Sequence, residues 1–90
     1  MTPSERIAKN RAYQRKALYG LSDDEFRKLV AAQGGKCALC GRQPKSVLCV
    51  DHDHQTNKVR GLLCNGCNRG LGHLGDTPEG LLRAYRYVSR

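Results

Sequence analysis

The stretch that decides the fold is CALCGRQPKSVLCVDHDHQTNKVRGLLCNGCN, residues 37–68. It begins with one Cys-x2-Cys pair and nearly ends with a second, and 23 residues separate the two pairs. Two such pairs supply four thiolates, which complete a closed tetrahedral shell around zinc. The spacing therefore predicts a structural zinc site. Its ligands are Cys37, Cys40, Cys64 and Cys67.

A pair of disulfides, or a set of unrelated buried thiols, is the alternative interpretation of these four cysteines. No apolar run approaches the roughly 20 residues needed to span a membrane, and the N-terminus, MTPSERIAKN, lacks the apolar core of a secretory signal. We therefore expect an intracellular, cytoplasmic protein, in which thiols stay reduced and bind metal. The fifth cysteine, Cys49, lies in an apolar run and is expected to pack as a small hydrophobe.

Size and charge narrow the class of protein. A chain of 90 residues forms one small domain whose core alone gives marginal stability, so we expect a metal to stabilise it. Sixteen Lys and Arg residues against eight Asp and Glu residues give a net charge of +8. A nucleic acid is the partner that this excess favours, although solubility or a ribosomal or membrane-surface role also fits the charge alone.

Helix starts are marked by capping signals. Residues 2–5 (TPSE) open a helix to about Leu18 that is rich in Lys and Arg, and we interpret residues 1–20 as a basic helical arm. Residues 22–25 (SDDE) open a second helix, which stops at a pair of glycines. Residues 77–79 (TPE) open a last helix with an apolar stripe.

Two short apolar segments surround a polar turn. Residues 46–51 (SVLCVD) and residues 59–63 (VRGLL) are rich in valine and leucine, which is typical of strands, and together they predict a β-hairpin. A short helix is expected after it, beginning near Asn65 or Cys67. The fold class is therefore α+β.

The tetrad Asp51-His52-Asp53-His54 stands where the first strand should end, and Asn68 directly follows the last zinc cysteine. A solvated surface turn is the alternative interpretation of the tetrad. Because the tetrad lies inside the loop closed by zinc, however, the metal should bring Asn68 against the hairpin. Neighbouring residues of a regular strand point to opposite faces, so the strand has to end or bulge if Asp51 and His52 converge.

The segments KCALCG, VDHDH and VRGLLCNGCN with the following LG resemble the phage recombination endonuclease VII family of HNH, or ββα-metal (His-Me finger), nucleases. The resemblance covers roughly residues 21–76, and it is specific because DHDH, VRGLLC and Cys-x2-Cys-Asn occur in this order. It implies a small zinc-stabilised ββα-metal nuclease domain over residues 21–90, with flanking N- and C-terminal helices. It also implies a phage or prophage origin.

Site roles follow from the resemblance. It makes Asp51 and Asn68 the ligands of one catalytic Mg²⁺ or Mn²⁺, His52 the general base and His54 an auxiliary catalytic residue. Magnesium prefers oxygen ligands, and neutral imidazole suits the removal of a proton from water near neutral pH. The implied function is a metal-dependent DNA endonuclease that nicks or cuts phosphodiester bonds, with branched DNA as one candidate substrate. Leu71 stands where some relatives carry an acidic residue, which implies a metal site with two protein ligands.

Further residues are assigned around this site. Lys58, Arg60 and Arg69 flank it and are predicted to contact DNA phosphates, helped by the basic arm. Asn57 is a secondary candidate that would bond across the turn and steady His52, although an ordinary turn asparagine is the alternative. We expect no small-molecule cofactor and no membrane partner. The sequence does not specify the preferred DNA form, or whether the chain is a monomer or a dimer.

Two other functions stay open on the sequence alone. A non-catalytic zinc-ribbon module that binds nucleic acid would need only the basic charge and the four cysteines, but it leaves DHDH and Asn68 without a role. A zinc-dependent interaction protein would need a large exposed apolar surface, and only the C-terminal helix offers such a stripe.

Overall fold

The computed structural model describes residues 2–90, apart from the side chain of Ala8, so Met1 of the predicted arm lies outside the described residues. Helices α1 and α2 precede a hairpin of strands β1 and β2, and α3 and α4 follow it. The two strands pair as one antiparallel sheet, which confirms the α+β class and the ββα order around the hairpin. The bounds are α1 Pro3–Tyr19, α2 Asp23–Ala32, β1 Cys49–His52, β2 Val59–Leu63, α3 Asn65–His73 and α4 Pro78–Ser89.

Side-chain caps explain where the helices begin. The Thr2 hydroxyl oxygen accepts the backbone N–H of Glu5, and Ser22 and Glu25 form a complete capping box at the start of α2. Each cap satisfies a backbone donor that the first helical turn leaves unpaired. Gly20 ends α1 in the left-handed region at φ 66°, which glycine adopts without strain. The predicted helix starts are confirmed.

Helix α1 is basic, as predicted, but its C-terminal half also packs against the body of the protein. The guanidinium of Arg15 lies 3.8 Å from the centre of the Phe26 ring and 3.2 Å from the carboxylate of Asp23. At the end of the helix, the carbonyl of Leu18 accepts a hydrogen bond of 3.2 Å from the side-chain amide of Asn57. These contacts join α1 to α2 and to the hairpin turn.

The core gathers around the buried end of the hairpin. Strand β2 has its predicted bounds, whereas β1 begins at Cys49, three residues later than predicted. Leu48 nevertheless remains buried just before the strand. Leu62 has no exposed surface. The buried hydrophobic residues are Leu21, Phe26, Cys37, Leu48, Leu62 and Leu63.

The side chain of Gln33, just after α2, holds this helix against β2. Its amide nitrogen donates to the carbonyl of Leu62 at 2.9 Å, and its amide oxygen accepts the N–H of Leu62 at 2.9 Å. The same nitrogen also donates to the carbonyl of Lys36 at 2.7 Å. One side chain thus satisfies both backbone groups of the most deeply buried residue.

Helix α4 packs by its first turn. A Cβ at position 80 would overlap the carbonyl oxygen of Leu74, so Gly80 is required for this close approach. The predicted apolar stripe lies largely in solvent, with Tyr85 and Val88 both exposed. Among the described residues, no helix combines the length and apolar character needed to cross a membrane.

Candidate functional site

The four predicted zinc cysteines come together in one cluster. Their sulfur atoms all lie within 4.8 Å of one another, and Cys40 Sγ is 3.9 Å from Cys64 Sγ. A tetrahedral zinc with Zn–S bonds of about 2.3 Å requires sulfur atoms about 3.8 Å apart. The cluster can therefore hold a zinc ion, and none of its four positions is left for a substrate.

Hydrogen bonds and pKa values in the cluster fit a bound cation. Burial raises the pKa of the Cys37 thiol, but backbone N–H groups, those of Cys40 and Leu39 among them, outweigh it and bring the pKa to about 6. A hydrogen bond to Cys64, followed by burial, raises the pKa of Cys67 to about 12. Crowded sulfurs resist simultaneous ionisation, and a divalent cation among them removes this conflict.

The cysteine cluster fixes the hairpin relative to α3. Cys64 is the N-cap of α3, where its sulfur accepts the N–H of Cys67 at 3.4 Å. The N–H of Asn68 donates to the carbonyl of Cys64 at 3.0 Å. On the other side, the N–H of Ala38 donates to the carbonyl of Leu62. The predicted proximity of Asn68 to the hairpin has this local cause.

Pairing of the two strands is irregular at the tetrad. Asp51 pairs with Gly61, whereas His52 pairs with Val59, so Arg60 is the extra residue of a β-bulge. A bulge increases the local twist and redirects side chains. The interruption of regular pairing expected between Asp51 and His52 is thus present.

A cleft of about 250 Å³ opens beside the bulge. Four of the predicted site residues line it together, from β1, the turn and α3. The residues that line the cleft are Tyr19, Val50, Asp51, His52, His54, Asn68, Gly72 and Asp76.

Two carboxylates of the cleft share one guanidinium. Arg60 donates through Nε to Asp51 Oδ2 at 2.8 Å and through Nη2 to Asp51 Oδ1 at 2.9 Å. The same Nη2 donates to Asp76 Oδ1 at 2.7 Å. Hydrogen bonds with Asp51, and then with Asp76, raise the pKa of Arg60 further above its usual range. Arg60 therefore carries its charge inside the site.

Aromatic rings surround the half-buried His52. The imidazole centre lies 4.9 Å from the ring of Tyr19 and 4.7 Å from the ring of His54. His54 Nε2 lies 3.2 Å from Asp76 Oδ2. His52 is consequently held by a helix that the sequence predicted to be only a basic arm.

The remaining residues of the turn have local roles. Asp53 Oδ1 accepts the N–H groups of Gln55 at 2.8 Å and Thr56 at 3.1 Å. Bonds from Thr56 and then Gln55 lower the pKa of Asp53, so its charge stabilises the turn. Asn57 adopts φ 61°, and its side-chain amide bonds to Leu18. This bond ties the turn to α1, and a role of Asn57 in steadying His52 stays a prediction.

Two polar residues of the cleft, Tyr19 and Asp76, were not predicted from the sequence. Tyr19 has no assigned role in the sequence beyond lying within the basic arm, and no local signal connects it to His52. Asp76 directly precedes the helix start at Thr77 and was not interpreted at all. It adopts φ 53°, and an acidic residue in a turn just before a helix cap was the one signal available.

Fold and site together define a small α+β protein with a four-cysteine cluster that can hold a metal ion, beside a cleft of carboxylate, imidazole and amide groups. The family model of recombination endonuclease VII matches residues 12–90. The chain therefore belongs to this family, which confirms the resemblance and implies a nuclease. The match extends beyond the motifs that carried the resemblance, to the C-terminal helix.

Two curated phage proteins are similar to the chain. The gene 59 protein of Mycobacterium phage L5 is 45% identical over 75 residues, which cover 80% of this chain and 46% of that protein. The gene 59 protein of Mycobacterium phage D29 is 43% identical over 77 residues, which cover 82% and 47%. The chain thus spans about half the length of these relatives. No solved structure matches.

Proposed function

We propose that the chain is a DNA endonuclease of the HNH type that hydrolyses phosphodiester bonds with one catalytic Mg²⁺ or Mn²⁺. The observation that carries this proposal is that Asp51, His52 and Asn68 line one cleft. A carboxylate, an amide oxygen and an imidazole are the groups that a metal-assisted hydrolase needs around one phosphate. In this proposal His54, which lies against both His52 and Asp76, is an auxiliary residue.

Membership in the recombination endonuclease VII family supports a DNA substrate. The two similar proteins come from mycobacteriophages, which supports a phage or prophage origin. Within the chain, we assign residues 21–90 to the nuclease domain and residues 1–20 to a basic helical arm whose last turn reaches the cleft through Tyr19.

The donor set fits a hard divalent cation. Asp51 and Asn68 offer oxygen atoms, which magnesium prefers, and both line the cleft. Arg60 donates one hydrogen bond to each oxygen of Asp51, and each carboxylate oxygen has a further lone pair available. When bound, the cation supplies positive charge that offsets the charge developing on the phosphate and the leaving oxygen.

His52 acts as the general base in this proposal. Its neutral imidazole takes a proton from a water molecule as the water oxygen forms a bond to phosphorus. The bond between phosphorus and the 3′ oxygen then breaks, and the leaving oxygen gains a proton from solvent. The products carry a 5′-phosphate and a 3′-hydroxyl. Contacts with Tyr19 and His54 hold the imidazole in the orientation that this transfer requires.

Basic side chains beside the site are proposed to contact DNA phosphates. Lys58 and Arg69 are exposed, and Arg69 directly follows Asn68. The carboxylate bonds of Arg60 use Nε and Nη2, so a phosphate contact would fall to Nη1. Together these residues offer positive charge where a polyanion would approach.

The proposal is tested by incubating the zinc-loaded protein with supercoiled plasmid and with a four-way DNA junction, with and without added magnesium. We expect nicked or linear plasmid only when magnesium is present, and we expect DNA ligase to reseal the nicks because the ends are 5′-phosphate and 3′-hydroxyl. Binding of both substrates without any cleavage would instead indicate the non-catalytic zinc-ribbon module.

A further inference from the structure

A second groove adjoins the cleft on the side of α1, between this helix and residues 46–50. It has a volume of about 470 Å³, which is within the range of pockets that hold ligands of nucleotide size. We propose that this groove holds the sugar–phosphate backbone of one nucleic-acid strand next to the cleft. The inference rests on the proposed function, because it assigns the path of that substrate.

The groove and the cleft are adjacent and share part of their lining. Tyr19, Val50 and Asn68 line both of them. A polymer with its scissile phosphate in the cleft would therefore have the groove directly beside it. Small substrates have no need of such a continuation, whereas a strand does.

The chemistry of the groove suits a polyanion. Arg11 and Arg15 line it, and none of the described residues that line it is acidic. Arg15 is committed to Asp23 and Phe26, so the exposed Arg11 is the cation best able to reach a phosphate. Gln14, Ser46 and Asn65 add polar groups that can bond to phosphate or sugar oxygens.

Only one face of α1 takes part. Arg11, Gln14, Arg15 and Leu18 follow the i, i+3, i+4, i+7 spacing of a single helix face. Lys9 lies two residues before Arg11, a rotation of about 200°, and so points away from the groove. The chain thus contains its own control, because Lys9 and Arg11 are both exposed cations of α1 and only Arg11 faces the groove.

The test compares Arg11→Gln with Lys9→Gln in the zinc-loaded full chain, because each substitution removes one positive charge from the same helix. Binding of fluorescein-labelled single-stranded and duplex oligonucleotides is measured by anisotropy over a range of salt concentrations, without added magnesium. We expect Arg11→Gln to weaken binding about tenfold and to reduce the log–log salt slope by slightly less than one. Lys9→Gln should change affinity less than about twofold.

Equal effects of the two substitutions, or no effect of Arg11→Gln, would refute the proposal that the groove binds a nucleic-acid strand. This result is separate from the fate of the nuclease proposal. If the parent protein cuts DNA but Arg11→Gln binds DNA normally, the proposed role of the groove is wrong and the proposed nuclease function is supported. If the parent protein does not cut DNA but Arg11→Gln binds DNA more weakly than Lys9→Gln does, the proposed role of the groove is supported and the proposed nuclease function is wrong.

A different observation carries a second inference, which also rests on the proposed function. We infer that Asp76 is a positioning residue of the site. Its side chain is 12% exposed, with one oxygen on Arg60 at 2.7 Å and the other 3.2 Å from His54. Its backbone is fixed at φ 53° by a hydrogen bond of 2.8 Å from its N–H to the carbonyl of Leu71.

Asp76 controls how strongly Arg60 neutralises Asp51. The guanidinium of Arg60 is shared between the carboxylates of Asp51 and Asp76. Two negative charges against one positive charge leave net negative charge in the cleft. Without the charge of Asp76, Arg60 and Asp51 form a neutral pair that attracts a cation less. Asp76 thereby sets the affinity of the cleft for a divalent cation, and it also holds His54 beside His52.

Asp76→Asn removes this charge and keeps a residue that tolerates positive φ. Asp53→Asn is the matched control, since Asp53 lies in the adjacent turn and its oxygen bonds to backbone N–H groups instead of cleft side chains. We expect Asp76→Asn to weaken binding of Mn²⁺ alone about tenfold, measured by electron paramagnetic resonance, and Asp53→Asn to change it less than about twofold.

Cleavage gives the second measurement. Asp76→Asn should raise the magnesium concentration for half-maximal cleavage by the same factor, and saturating magnesium should restore most of the rate. If Asp76→Asn lowers the unfolding temperature but leaves Mn²⁺ affinity unchanged, its role is only structural and the inference is wrong. Because Mn²⁺ binding is measured without DNA, a protein that does not cut DNA can still confirm or refute this role.

Discussion

Replacing Cys67 by serine should leave the chain largely unfolded at room temperature. The four sulfurs lie within 4.8 Å of one another, and their cluster joins the region before β1 to β2 and α3. Structural zinc contributes roughly 10 kcal/mol or more to the folding of small domains, whereas their net stability is about 5–15 kcal/mol. A chain with so few buried residues cannot replace that contribution.

We would measure zinc content by inductively coupled plasma mass spectrometry and folding by circular dichroism. The same loss is expected for Cys37, Cys40 and Cys64, while the parent protein should bind one zinc per chain. Cys49→Ser is the control: this half-buried cysteine lies in β1 outside the cluster, so zinc content should not change. A folded parent protein that contains no zinc would refute the prediction.

Replacing His52 by alanine should abolish detectable cleavage while zinc content, fold and DNA binding persist. The imidazole is half-buried and contacts the rings of Tyr19 and His54, but it is not part of the hydrophobic core. Loss of a general base typically reduces the rate by about 10²- to 10⁴-fold. Plasmid nicking, measured with protein whose zinc content has been verified, gives this factor or a lower limit for it.

Asn68→Ala separates the loss of a metal ligand from the loss of a base. This substitution should also abolish cleavage, but a higher concentration of magnesium or manganese should restore part of the cleavage activity, because only the affinity for the metal is weakened. The same metals should hardly restore His52→Ala, since they do not replace the proton acceptor. Parental cleavage by His52→Ala would show that the proposed mechanism is wrong.

Local signals in the sequence were sufficient for much of the fold. Ser22 and Glu25 cap α2 as predicted, and β2 occupies Val59–Leu63 as predicted, since both patterns depend on neighbouring residues. The cysteine cluster was predictable because the chemistry of zinc restricts the spacing of its ligands. The start of β1 could not be predicted in this way, because residues 46–48 belong to the same apolar run as the strand but lie outside the sheet.

The parts that the sequence did not reveal depend on contacts between distant residues. Arg60 was interpreted as a phosphate contact from its charge, and nothing near it indicates that it bridges Asp51 and Asp76. Tyr19 meets His52 only because Arg15 and Asn57 hold α1 against the rest of the chain. A pattern confined to one segment carries no information about contacts between residues that are distant in the sequence.

The amide of Gln33 has a consequence for behaviour in concentrated solution. A two-stranded sheet has two free edges, and an open edge can pair with a strand of another molecule and begin aggregation. On β2, both outward backbone groups of Leu62 are already bonded to Gln33, and the carbonyl also accepts the N–H of Ala38. The most apolar part of the hairpin is thereby shielded from intermolecular pairing by one side chain that imitates a peptide group.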